Sequence, residues 1–228
     1  MTNVRERLEL LADDINRKYF PERLSSPLPL DPYDFLEAIG CEIEWKYISP
    51  DDSILGMTFF RDGYWYIWEG GVCLGANSCK AETFREGTVV INQRLLDSTL
   101  KKASNIERFV VVHEGAHWLK DRDYFSKKEE SVVNTCFKNN FFGTHWDRSM
   151  SELEIIERQT NYLAAAILMP RDVIRQEFFR AGRYKNIPEG PIEYKSYMKA
   201  WIAKLSKNFG VNFNPVKYRL KDLHIISE

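Results

Sequence analysis

The sequence predicts an α+β protein. Runs of β-branched and aromatic residues crowd the stretch from Cys41 to Asn92, and from Ser104 onward apolar residues recur mostly at helical spacing. No internal repeat or low-complexity tract interrupts this order. With 228 residues, 44% hydrophobic and 14% aromatic, the chain has side chains enough for a sizeable core and too many for disorder.

Residues 3–20 set Leu8, Leu11, Ile15 and Tyr19 at helical spacing among charges, an amphipathic helix that Pro21 stops. Pro27, Pro29 and Pro32 lack a backbone N–H, so residues 24–31 read as an extended linker. A short helix over 32–39 follows, ended by Gly40. Strands are expected at 41–48, 54–60, 64–68 and 88–92, separated by turns at Asp51-Asp52 and Asp62-Gly63. The turns suggest antiparallel pairing, in a small antiparallel or mixed sheet. Helices are expected at about 104–120, 151–169, 171–182, 194–209 and 214–222. Gly182, Pro188, Gly190 and Pro191 break the helical run, giving three parts: 1–30, 31–182 and a helical C-terminal subdomain at 183–228.

Composition excludes several classes. Thirty-two Lys and Arg against 33 Asp and Glu leave a net charge of −1, which argues against a general nucleic-acid binder. Lys217, Arg219 and Lys221 read as a solvated helix face rather than part of a DNA-binding motif. Glu9, Asp13 and Asp14 interrupt the N-terminal leucines, so no signal-peptide core forms and secretion is not expected. The longest strongly apolar stretch, 162–169, is far shorter than the ~20 residues a bilayer span needs. The four cysteines, Cys41, Cys73, Cys79 and Cys136, form no C-x-x-C pair and read as reduced thiols of a cytoplasmic protein.

The chemistry concentrates in residues 104–120. Val110-Val111-Val112 alone would favour a strand, but Ser104 and Glu107 form an S-x-x-E capping box that favours a helix. On a helix, His113 and His117 differ by one turn and about 40°, so both imidazoles can reach one ion. Glu114 points elsewhere, placed to take a proton from a metal-activated water without ligating the metal, as in H-E-x-x-H hydrolases. The alternative is a pair of satisfied core histidines.

A catalytic zinc needs a third protein ligand. Asp123 lies ten residues after His113, where longer H-E-x-x-H motifs place a histidine, although Lys120 stands at their turn glycine. The other candidate is Glu157. Ser151 and Glu154 form a second capping box, Pro170 ends the helix, and Glu157 falls inside a stripe with Leu153, Ile156, Thr160, Leu163 and Ile167. A buried acid needs a cation or hydrogen-bond partners, so Glu157 meets either a metal or an arginine. Asn161, one turn on, could steady a ligand histidine.

These segments resemble the ImmA/IrrE family of metallo-endopeptidases over most of residues 30–222. The resemblance rests on Val89-Val90-Ile91-Asn92, on Glu107-Arg108-Phe109 leading into His113-Glu114-Gly115-Ala116-His117, and on Glu157 followed by Asn161, Ala164-Ala165 and Leu168-Met169-Pro170. Residues 31–43, Phe209-Gly210-Val211 and Tyr218-Arg219-Leu220 are similar too. The resemblance implies a zincin-like fold with the sheet packed on the active-site helix. It implies one zinc ion held by His113, His117 and Glu157, with Glu114 as the catalytic carboxylate. The implied substrate is a protein, a helix-turn-helix repressor of mobile elements or stress regulons, whose cleavage relieves transcriptional repression. The region before the resemblance is too short for a fused DNA-binding domain. Gln159 and Thr160 replace a common Glu-Ala pair, and the connection from His117 to Glu157 is long.

Within that connection, residues 127–149 read as a surface loop anchored by 141–146, or as a lid over the substrate. Candidate oxyanion donors are His145, Tyr124 and Tyr162. Residues 88–92, if at a sheet edge, could pair with a substrate strand. Rival readings are a non-catalytic metal-containing protein that sequesters a repressor, and a structural zinc protein, which a fourth protein ligand would favour.

Overall fold

Helix α2 (Pro32–Ala38) starts at Asp31, whose carboxylate accepts from the backbone N–H groups of Tyr33 and Asp34. A computed structural model describes residues 4–68, 79–97, 101–127, 133–137 and 151–227. Contacts divide the chain into two units, Asp31–Asn161 and a second made of Met1–Leu30 with Tyr162–Glu228. The dividing line falls within a helix, α5 (Glu152–Leu168).

In the first unit, strands β1 (Glu42–Lys46), β2 (Ile54–Phe59), β5 (Thr88–Asn92) and β6 (Val133–Phe137) form one sheet in the order β1-β5-β2-β6. β2 is antiparallel to both neighbours, but β1 runs parallel to β5, with Glu42 opposite Thr88 and Lys46 opposite Asn92. The sheet is therefore mixed, not antiparallel. Strands β3 (Gly63–Trp68) and β4 (Cys79–Phe84) pair with each other and intervene between β2 and β5. That excursion lets β5 return beside β1 in the same direction.

Every residue of β2 and β5 is buried, so both faces of the central strands are covered. Met57, Phe59 and Val90 pack with Ile67 of β3 and Phe84 of β4. A register shift between Ile54 and Gly56 marks a bulge, which accounts for Ile54 joining the same cluster as Met57 despite its odd spacing. Gly56 and Thr58 meet helix α4 (Lys101–Phe125) instead.

Arg94–Asp97 forms a short helix, α3, before α4. α4 is already helical at Lys101, so Ser104 is not its N-cap; Glu107 accepts a hydrogen bond from the Tyr33 hydroxyl of α2. From Phe109 to His117 the helix is buried on all sides, which explains how three valines sit on a helix: tertiary packing outweighs their small propensity cost. Gly115 brings α2 close. A Cβ there would stand 2.5 Å from Phe35, 2.9 Å from Leu36 and 3.0 Å from Ile39.

The second unit contains α1 (Val4–Tyr19), a 3-10 turn (Pro21–Leu24), the end of α5, α6 (Arg171–Ala181), α7 (Met198–Phe209) and α8 (Phe213–Asp222). Strands β7 (Ile192–Glu193) and β8 (Ile226–Ser227) pair in parallel. Within this unit, residues 1–30 cluster with 162–228. Arg23 donates to the carbonyls of Ile167 at 2.9 Å and Leu168 at 2.7 Å, satisfying the last carbonyls of α5, which are buried. Arg219 is 1% exposed, so it does not lie on a solvated face. It donates to Glu9 Oε2 at 2.8 Å and to the Met169 carbonyl at 3.1 Å, while the Tyr162 hydroxyl donates to Glu9 Oε1 at 2.6 Å. Among the described residues, no helix is long and apolar enough to cross a membrane.

Candidate metal centre

His113 and His117 are fully buried on α4, one turn apart. Their Nε2 atoms face each other at 3.0 Å. α5 delivers the third group. Its start is fixed by the expected capping box: Glu154 accepts from the Ser151 backbone N–H at 2.8 Å, and the Glu154 N–H reaches Ser151 Oγ at 3.3 Å. One turn further, Glu157 is 8% exposed and sets Oε2 3.3 Å from His113 Nε2 and Oε1 3.1 Å from His117 Nε2. No arginine takes that role in the described contacts of the carboxylate. Leu153, expected in the same stripe, is 54% exposed; it lies in the first turn, before the helix is covered.

The donor set fits a divalent ion. Tetrahedral zinc with ~2.0–2.2 Å bonds to nitrogen and oxygen sets its donor atoms about 3.3–3.5 Å apart, and the three atoms here already stand at 3.0–3.3 Å. The tautomer also fits. Asp121 Oδ2 lies 2.8 Å from His117 Nδ1; a carboxylate accepts, so Nδ1 donates to it, and Nε2 is the ring nitrogen that faces Glu157, where a metal would take the place of a proton. Burial opposes charge on His117, but Glu157, Asp121 and Glu114 outweigh it and raise its pKa to about 10. Burial lowers the pKa of His113, only partly offset by Glu157, which leaves it neutral and available as a ligand. Burial alone would raise Glu157; the two histidines hold it well below the usual carboxylate range.

Asp121 is the residue that motif spacing missed. Asp123, two positions on, is exposed and outside the buried cluster. The legible signal was the helical H-x-x-x-D step from His117, which repeats the His113–His117 step on one face. Lys120 pairs with Asp121, and Thr160 Oγ1 stands 3.2 Å from its Oδ2. Thr160, one of the two departures from the family pattern, thus braces the acid that orients His117. Asn161 lies close enough to His113 to favour its charged form. Asp121→Asn is expected to keep the fold and to weaken zinc binding about 10–100-fold, measured by competition with a chromophoric chelator; unchanged affinity would remove Asp121 from this role.

Glu114, also fully buried, points at β2. Thr58 Oγ1 stands 2.7 Å from Glu114 Oε2, while Oε1 has no hydrogen-bond partner among the described residues. A Cβ on Gly56 would come within 2.8 Å of that same Oε1, so the strand needs glycine there to admit the carboxylate. Burial raises the Glu114 pKa to about 8, against the lowering effects of His117 and Thr58. A carboxyl in that range can both take and return a proton near neutral pH.

Strand β6 enters where a loop was expected. Its Val133, Thr135 and Phe137 are strand formers, a signal readable in the sequence. Asn134 Nδ2 donates to Glu157 Oε1 at 2.8 Å and lies 3.0 Å from His117 Nε2. Cys136 is fully buried; burial, with Glu114 and Glu157, pushes its thiol pKa well up. Of the expected oxyanion donors, Tyr162 is bonded to Glu9 in the second unit and Tyr124 packs on Phe125. His145 and the 141–146 anchor lie outside the described residues. β5 is flanked by β1 and β2, so residues 88–92 offer no edge to a substrate. Among the described strands of this sheet, the edges are β1 and β6.

The family model of the IrrE N-terminal-like domain, a peptidase family (M78), matches residues 147–221. The match contains Glu157 and Asn161 and begins after the His113–His117 helix. It bears out the resemblance to the ImmA/IrrE metallo-endopeptidases and supports a peptidase with a protein substrate. The buried group His113, Cys136 and Glu157, together with the family match, supports a bound metal. No curated protein matches the chain.

Proposed function

We propose that this protein is a zinc-dependent endopeptidase that cleaves a regulatory, repressor-type protein in the cytoplasm. One observation carries the reading: three buried donors from two helices converge at 3.0–3.3 Å, with a buried carboxyl, Glu114, near enough to feel the charges of His117 and Glu157. His113, His117 and Glu157 would hold one zinc ion. When bound, zinc supplies Lewis acidity, which makes water acidic enough to be a nucleophile near neutral pH.

The chain's own residues do the rest. Thr58 holds Glu114 Oε2, leaving Oε1 free to take a proton from the attacking water and deliver it to the departing amine. Asn134 brings an amide donor to the donor cluster and is our candidate for stabilising the oxyanion. Asp121 keeps His117 in its ligating tautomer. Cys41, Cys79 and Cys136 are free thiols, in keeping with a reducing compartment. The second reading, a metal-containing protein that sequesters a repressor, draws support from the β6 side chains crowding the same donors.

Metal analysis tests the ligand set. Wild type and Asp123→Ala are expected to carry one zinc ion per chain and Glu157→Ala to lose it, after which the loaded wild type is incubated with repressors encoded beside its own gene. Zinc lost only from Asp123→Ala would reverse the assignment, and intact repressors would favour sequestration.

A further inference from the structure

β6 sends alternate residues to one place. Asn134 and Cys136 are two apart, hence on the same face of the strand, and the amide of Asn134 already touches Glu157 and His117. A ligand atom from each of His113, Cys136 and Glu157 lies within 4.8 Å of the other two, and all three residues are buried. The sulfur therefore stands beside the donors assigned above to zinc, on a different element from either histidine or Glu157.

We propose that Cys136 is a fourth, exchangeable ligand that keeps the metal centre in a closed, latent form. The inference rests on the metal-centre reading of the preceding section. Zinc–sulfur bonds of ~2.3 Å and zinc–nitrogen bonds of ~2.0–2.1 Å would set sulfur and nitrogen about 3.6 Å apart. Cys136 thus needs to approach by at most about 1 Å, the size of a side-chain adjustment. Thiolate is also a favoured zinc donor. Ligation forms the metal–sulfur bond and releases the thiol proton to solvent. Opening reverses both changes: the bond breaks, the sulfur regains a proton and water fills the position, with no oxidation or reduction. Three protein ligands and one open position define a catalytic centre, whereas four define a closed one. Rotation of the Cys136 side chain to another staggered position carries the sulfur away and opens the centre, while β6 stays paired with β2 and Asn134 keeps its place at the donors.

X-ray absorption of the zinc-loaded full chain is expected to show one sulfur scatterer at ~2.3 Å; a shell of nitrogen and oxygen alone would overturn the proposal. Cobalt-loaded wild type should show a near-ultraviolet thiolate charge-transfer band, lost in Cys136→Ser and kept in Cys41→Ser and Cys79→Ser. Identical spectra for wild type and Cys136→Ser also overturn it. Latency is read with acetohydroxamate, a chelator that needs an open position. Cys136→Ser should bind it at least tenfold more tightly than wild type, and equal affinity rejects the closed state. Wild type that takes up neither zinc nor cobalt would instead defeat the metal-centre reading itself.

Discussion

Glu114→Gln is expected to retain one zinc ion per chain while peptide cleavage falls by roughly 10²–10⁴-fold, the range general acid–base catalysis supplies. The substitution is nearly isosteric, so the glutamine fits the space that Gly56 leaves for the Glu114 side chain. Thr58 can still hydrogen bond the amide oxygen, so geometry and metal affinity persist. What disappears is the basic oxygen that takes the proton. The loss should fall on kcat, with KM little changed, because the carboxylate acts in the transition state rather than in holding the peptide. Equal cleavage by both proteins would remove Glu114 from the mechanism. Equal derepression without cleavage in either would turn the reading toward sequestration.

The second large effect concerns stability. Arg219→Leu is expected to cost about 3–5 kcal/mol, because Glu9 would be left as a buried charge without its main partner. Urea titration followed by circular dichroism measures it; a loss under 1 kcal/mol would mean that Glu9 finds water. Replacing both residues with leucine should cost less than the single change, since neither charge then remains. The pair also sets a pH dependence. Burial pushes the Glu9 carboxyl up, but Arg219 and the Tyr162 hydroxyl outweigh it and its pKa in the fold is lowered. A lowered folded pKa contributes stability above the unfolded value, near 4.3, and that contribution is lost as the pH falls through the folded value. Wild type should therefore weaken in acid more steeply than the double-leucine variant.

Much of the candidate site was legible in the chain because its signals are local. The step from His113 to His117 is one helical turn, and the Ser151/Glu154 box is four residues long and forms as expected. Glu157 stood out because an acid on the covered side of a helix needs a partner. Local signals also misled. Ser104 and Glu107 match a capping box, yet α4 is already helical at Lys101 and Glu107 bonds Tyr33. Lys217 and Lys221 made Arg219 look solvated, although its partner, Glu9, is 210 positions away.

The sequence by itself determined the α+β order and the helical spacing that aligns the two histidines, because periodicity acts within one turn. Tertiary structure alone decided the parallel return of β5 beside β1, the bracing of His117 by Asp121 and Thr160, and the arrival of Asn134 and Cys136 on β6 beside the candidate donors. Each of those contacts depends on pairing between segments or on which helix face becomes covered. Neither is fixed until the chain has collapsed around Gly56 and Gly115, the two positions where a missing side chain lets strand and helix close on the site.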